Sequence, residues 1–113
     1  MRRGEIWWTD FGLPFGSEPG YRRPGIVVQT DSVNKSAIGT VLIVPLTRTV
    51  AWGAAPGNVL CRPKATGLKH ASVANVSQLT VVDRRRLVER VGELPPTLLR
   101  ELDEGMKLIL GLS

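Results

Sequence analysis

Side chains by which catalytic and metal centres are commonly recognised are scarce in this chain. Its 113 residues include one cysteine, Cys61, and one histidine, His70. A single cysteine cannot close an intramolecular disulfide, and one of each leaves no cysteine/histidine set at zinc-binding spacing. No three carboxylates cluster in sequence, so neither a metal nor another cofactor is expected. The chain has no Walker A loop and no GxGxxG turn. It also has no GxSxG elbow, which leaves a Ser/His/Asp triad through His70 without its usual support. There is no apolar run of about 18 residues and no N-terminal apolar h-region, so a cytoplasmic protein without membrane association is expected. Internal repeats and low-complexity stretches are absent as well.

What is present describes an ordinary globular protein. A 42% hydrophobic and 22% charged composition can support a packed core, and the length suits one domain over 1–113 with no internal boundary. Fifteen basic residues against ten acidic ones give a formal charge of +5, and 11 of the 15 are arginine. The planar guanidinium fork suits phosphate, so the balance favours a polyanionic partner.

Along the chain, 5–11 is rich in aromatic and β-branched residues and reads as a first strand, with Trp7 and Trp8 as strand residues and one of them in the core. Residues 12–22 carry glycines and prolines without periodicity and read as a long loop, a length that suggests binding. Pro24 opens a second strand that continues over 25–30, and 40–47 is a third, almost wholly apolar strand buried on both faces, with Pro45 marking a bulge or edge. Short strands are expected at 58–62, 72–76 and 79–82, separated by loops at 48–56 and 63–71. Asp83 caps a helical turn over 84–87, and 88–94 returns as a strand. The repeated short strands point to a small barrel or a strongly bent sheet. Pro95-Pro96 starts the one substantial helix, whose Leu98, Leu99, Leu102, Met106, Ile109 and Leu110 share an apolar face that closes the barrel, and Gly111 ends it.

The segment Gly16-Ser17-Glu18-Pro19-Gly20-Tyr21-Arg22-Arg23-Pro24, running into Gly25-Ile26-Val27-Val28-Gln29, delivers two arginines to the mouth of a strand, where a phosphate could reach them. Other candidates have blander readings. Cys61 reads as a small buried hydrophobe. His70 is the one side chain of a type that titrates near neutrality, which would suit a general base, yet its surroundings read as an exposed loop. Arg84-Arg85-Arg86 reads as the outer face of a short helix, with RNA phosphate contact as the alternative. Trp52, in a Gly/Ala/Pro loop, is either a base-stacking platform or a loop anchor.

Taken in order, Arg3-Gly4-Glu5-Ile6-Trp7-Trp8, Gly16-Ser17-Glu18, Arg23-Pro24, Val44-Pro45-Leu46-Thr47, the Ser77-Gln78-Leu79 to Leu87 block and the closing Leu110-Gly111-Leu112 resemble the MazF/PemK family over nearly the whole chain. No one of these motifs is specific; the ordered set is. The resemblance implies a mainly β, SH3-like barrel of the CcdB/PemK type with a C-terminal α-helix. It implies the toxin half of a type II toxin–antitoxin pair: a metal-independent, sequence-specific endoribonuclease that cleaves single-stranded mRNA, forms a homodimer and is restrained by the acidic tail of a MazE-like antitoxin. Carried over by position, the catalytic arginine is Arg23 and the catalytic threonine Thr47. Ser17, Glu18 and Gln78 match RNA-binding positions, and Arg22 and Trp52 are added as RNA contacts.

Chemistry supports the pair. Attack of a ribose 2′-hydroxyl on its own 3′-phosphate needs charge stabilisation on the phosphorane-like transition state and two proton transfers, and it leaves 2′,3′-cyclic phosphate and 5′-hydroxyl ends. Arg23 can donate two parallel hydrogen bonds and Thr47 one. The chain departs from the family pattern at Pro19, where a glutamine usually follows the GSE element, and at Ala71, where many relatives carry an acidic residue. Two alternatives stay open: a gyrase-poisoning toxin of the same fold, acting through its C-terminal helix, and a non-catalytic SH3-like module that binds RNA or protein.

Overall fold

The computed structural model describes residues 1–113. Seven strands form, β1 (Glu5–Asp10), β2 (Arg22–Val27), β3 (Thr40–Thr47), β4 (Val59–Cys61), β5 (Ser72–Ala74), β6 (Thr80–Asp83) and β7 (Leu87–Glu93), with short helices α1 (Asp31–Asn34) and α2 (Pro63–Thr66) and a C-terminal α3 (Pro96–Leu110). They build an antiparallel half-barrel in the order β4-β5-β3-β2-β1-β7, with β6 paired to β3. This is the mainly β architecture with a closing helix that the sequence predicts.

β3 organises the sheet. Its first half pairs with β6, from Thr40 opposite Asp83 to Ile43 opposite Thr80. Its end pairs with β5, Leu46 opposite Ala74 and Thr47 opposite Val73. The change of partner falls around Pro45, which has no N–H to give a ladder, while its carbonyl accepts from the Asn75 N–H at 3.0 Å. The expected irregularity at Pro45 is therefore the corner where the sheet curls.

Period-2 alternation fills both faces of this sheet. Ile6, Ile26, Val28, Val44 and Leu46 join the main core with Val59, Val76 and Leu102, whereas Val27, Val41, Ile43 and Val82 form a second cluster on which Trp7 and Phe11 pack. Burial on both sides explains why β3 reads as nearly continuous hydrophobicity; only Leu42 escapes, being 41% exposed. Cys61 is buried in the main cluster, and that burial, with Glu101 nearby, pushes its thiol up to about 11. It is the inert hydrophobe expected.

Three expectations need correction. β2 starts at Arg22, two residues before Pro24, because Arg22 and Arg23 already pair with Asp10 and Thr9 of β1. It stops at Val27 because α1 turns the chain there, held by a buried pair in which Gln29 Nε2 donates to Asn34 Oδ1 and Asn34 Nδ2 returns a bond to the Gln29 carbonyl, both at 2.9 Å. Neither α1 nor α2 was expected, since four residues are too few to show a helical period. Third, the apolar face of α3 is shorter than its sequence pattern: Leu98, Leu99, Leu102 and Met106 pack on the core, but Ile109 and Leu110 are exposed and join neither core cluster. Gly111 caps the helix at φ 70°, as expected.

Asp83 caps a 3₁₀ turn over Arg84–Arg86, accepting from the Arg85 backbone N–H at 2.9 Å and from the Arg85 guanidinium at 3.0 and 3.1 Å. The run is anchored elsewhere too: Arg84 donates to the Val33 carbonyl and Arg86 to the Asp10 carbonyl, each at 3.1 Å. The Arg85 side-chain bonds, then its backbone N–H, hold the Asp83 carboxyl at about 2 instead of its ordinary 3.8. A depressed carboxylate stabilises the fold above its unfolded pKa and loses that contribution as pH falls through the folded value. Asp83→Asn should therefore lose stability at neutral pH and, in acid unfolding followed by circular dichroism, show a shallower decline between about 4 and about 2.

Candidate active site

A cleft of about 710 Å³ opens where β2, β3, β7 and the loop before β5 converge. Arg22, Arg23 and Pro24 of β2 line it, as do Leu46 and Thr47 at the end of β3 with Arg48 and Thr49 beyond, and Gly67 to His70 from the α2–β5 loop. Trp8 and Val91 supply apolar surface.

Each rim is fixed by local structure. The two arginines are held by the β1 ladder, not by a loop, and the β3 ladder begins only at Gly25, so Pro24, with no N–H, lies outside it. Arg22 is exposed, with its guanidinium 5.8 Å from the Trp8 ring centre and 3.7 Å from Glu89; Arg23 is half-buried. Thr47 Oγ1 accepts from the Thr49 N–H at 3.2 Å, which occupies a lone pair and leaves its O–H to donate elsewhere. The opposite rim is pinned to β7: a Cβ on Gly92 would lie 2.5 Å from the Thr66 carbonyl oxygen, and one on Gly67, at φ 81°, would lie 3.2 Å from that of Val91. Only glycines allow so close an approach.

The charge lining this cleft is of one sign. Arg22, Arg23, Arg48 and Lys69 face it with no aspartate or glutamate among the lining residues. Arg23, Arg48 and Lys69 form no ion pair, whereas Arg2, Arg3, Arg85, Arg86 and Arg90 are each paired with a carboxylate. A concave site with unpaired cations over an apolar floor concentrates anions. No three of the histidine, cysteine, aspartate and glutamate side chains gather into a metal-binding group.

Of the residues singled out from sequence, Arg22, Arg23 and Thr47 come together here, although Arg23 and Thr47 stand on different strands far apart in the chain. Ser17, Glu18 and Gln78 form a separate group: Gln78 Nε2 donates to the Ser17 carbonyl at 3.0 Å, and Glu18 Oε1 accepts from the Phe15 N–H at 3.1 Å. They border the loop whose Gly20 and Tyr21 line the cleft but do not line it themselves. Trp52 does not line it; it stands in a 3₁₀ turn over Val50–Ala54, with its N–H donating to the carbonyl of the lining residue Thr49 at 3.1 Å and its carbonyl accepting from Asn58 Nδ2 at 3.0 Å. His70 is exposed as expected, yet its loop faces the cleft. Trp8, Tyr21, Arg48 and Lys69 were not identified as cleft residues. Arg48 and Tyr21 each had one signal, a place directly after Thr47 and directly before Arg22; Trp8 and Lys69 had none, because strand pairing alone brings them in.

Known proteins share this sequence and this fold. The chain is 41% identical over 112 residues to the Mycobacterium tuberculosis protein named endoribonuclease MazF6, covering 99% of this chain and 98% of the relative. Its fold matches that of MazF from Deinococcus radiodurans with a TM-score of 0.83 at 25% identity, covering 99% and 97% of the two chains. It also matches the fold of a mycobacterial endoribonuclease solved in complex with its cognate antitoxin, with a TM-score of 0.76 at 21% identity, covering 100% of this chain and 95% of that one. With residues 2–110 matching the family model, the chain belongs to the PemK-like, MazF-like toxins of type II toxin–antitoxin systems.

Proposed function

We propose that this toxin is an endoribonuclease whose cleft binds single-stranded RNA and cleaves it by attack of a 2′-hydroxyl on the adjacent phosphate. The observation that carries the reading is the meeting of Arg23 and Thr47 in a cleft lined by unpaired cations. In the reaction the 2′-oxygen bonds to phosphorus as its proton leaves, the bond from phosphorus to the 5′-oxygen breaks, and that oxygen takes up a proton. Arg23 holds the non-bridging oxygens with paired N–H donors, and Thr47 adds its hydroxyl. Arginine stays protonated at neutral pH and is a poor base. His70 lines the cleft with ring nitrogens that can accept a proton, so it is assigned as carrier of the 2′-proton. Arg22, Arg48 and Lys69 position the flanking phosphates.

By the same reading the toxin acts in the cytoplasm as a homodimer and is silenced by an antitoxin with an acidic segment, which the cleft's charge would attract. The exposed Leu108, Ile109, Leu110 and Leu112 at the end of α3 offer apolar surface for a second copy.

The test is incubation of the purified protein with a long RNA in EDTA. Expected are discrete cuts, with 5′-hydroxyl ends that a kinase labels without prior phosphatase treatment and 3′ ends that resist periodate. His70→Gln should slow cleavage by about 10²-fold. RNA left intact by well-folded protein would end this reading, and loss of gyrase activity instead would favour the gyrase-directed alternative.

A further inference from the structure

Tyr21 is the one residue other than glycine with a positive φ, at 60°. A bulky side chain is disfavoured there, and the conformation persists only where its surroundings enforce it. They do so here. The Tyr21 N–H donates to the Gly12 carbonyl at 2.6 Å, and its carbonyl accepts from the Phe11 N–H at 2.8 Å, closing the 11–21 loop at its base. Gly20, just before it, is wedged against the Pro14 ring, where a Cβ would lie 2.5 Å away. The ring gains no packing in return: it is 64% exposed and belongs to neither core cluster. It lines the cleft beside Arg22, Arg23 and Thr47.

Glycine would satisfy this backbone without strain, so the fold gives no reason for a tyrosine. A nucleic-acid strand does. An exposed π-face beside a row of guanidinium groups is what single-stranded bases stack on while their phosphates are held. We propose that Tyr21 is a substrate-binding residue that stacks on a nucleobase flanking the scissile phosphate. This rests on the endoribonuclease reading above. It also moves the stacking role away from Trp52, which does not line the cleft.

Tyr21→Gly separates a substrate contact from a structural one, because it relieves the backbone and should leave Tm equal or raised. Once the cut site is mapped, RNAs with an abasic ribose at each flanking position are compared with the intact sequence. Tyr21→Gly should lower kcat/KM on intact RNA by about 10- to 100-fold, with Tyr21→Phe within about twofold of wild type. On the RNA lacking the stacked base, wild type and Tyr21→Gly should cleave equally. Affinity for a short 2′-O-methyl RNA of mixed sequence, which cannot be cut, should fall by the same factor.

Wild-type rates for Tyr21→Gly, or a loss equal on every abasic RNA, would overturn the proposal. So would unaltered cleavage with weakened antitoxin binding, which would assign the ring to a protein partner. If wild type binds RNA in a Tyr21-dependent manner but never cuts, the endoribonuclease reading alone fails. If it neither binds nor cuts, both fail.

Discussion

Arg23→Ala should lower single-turnover cleavage of RNA by about 10²- to 10³-fold, the loss found when one preorganised donor is removed from a developing oxyanion. The expectation follows from its setting. Arg23 is held in register opposite Thr9 of β1, is half-buried, and forms no ion pair in the folded chain. Its donors are therefore available to a ligand, and its removal leaves no carboxylate stranded. Tm should stay within about a degree or two of wild type, because a partly exposed unpaired charge contributes little to stability. Arg23→Lys should rescue poorly, since an ammonium cannot supply two coplanar donors. Thr47→Ala should show a smaller loss, about 10- to 100-fold, with Thr47→Ser close to wild type. Cleavage by Arg23→Ala and Thr47→Ala at the wild-type rate would remove both residues from the reaction.

The largest effect on stability is expected at Gly105. In the middle of α3, alanine would ordinarily gain about 1 kcal/mol over glycine in helix propensity. Here the sign reverses. A Cβ at Gly105 would overlap the Gly57 carbonyl oxygen and lie 3.0 Å from the carbonyl carbon, so it meets backbone that cannot rotate away. Gly57, at φ 83°, is itself committed to a turn between the 3₁₀ segment and β4. Alanine must lift α3 from the sheet and draw Leu102, fully buried in the main core, part of the way out. Overpacking of this kind costs about 3 kcal/mol, and a loss of that size lowers Tm by about 12–20 °C in a chain of this length. Gly53→Ala, whose added Cβ would rest 3.6 Å from Val73 Cγ2 in ordinary contact, serves as the control and should change little. Equal melting of the two variants would show that α3 is not seated by this approach.

Where local chemistry dictates conformation, the sequence was sufficient. β1, β3 and β7 follow from runs of β-branched and aromatic residues, and α3 from its apolar stripe between Pro96 and Gly111. Asp83 as a cap was legible for the same reason, since its carboxylate serves N–H groups two residues away. The four-residue helices α1 and α2 were not, being shorter than any period that could reveal them. For Trp52, an aromatic in a Gly/Ala/Pro loop, the sequence left a base-stacking platform and a loop anchor open, because where that loop lies is set by contacts distant in the chain.

Composition and local pattern are enough to read a small basic β protein with two arginines at a strand mouth and a threonine at another strand's end. That these residues share one cleft is set by long-range pairing. Antiparallel pairing of β3 with β5 sets Thr47 opposite Val73, so the residues after one strand lie beside those before the other, and Lys69 and His70 are carried to the Arg23 side. Such pairings rest on burial and register between segments far apart, and no local run of residues encodes them.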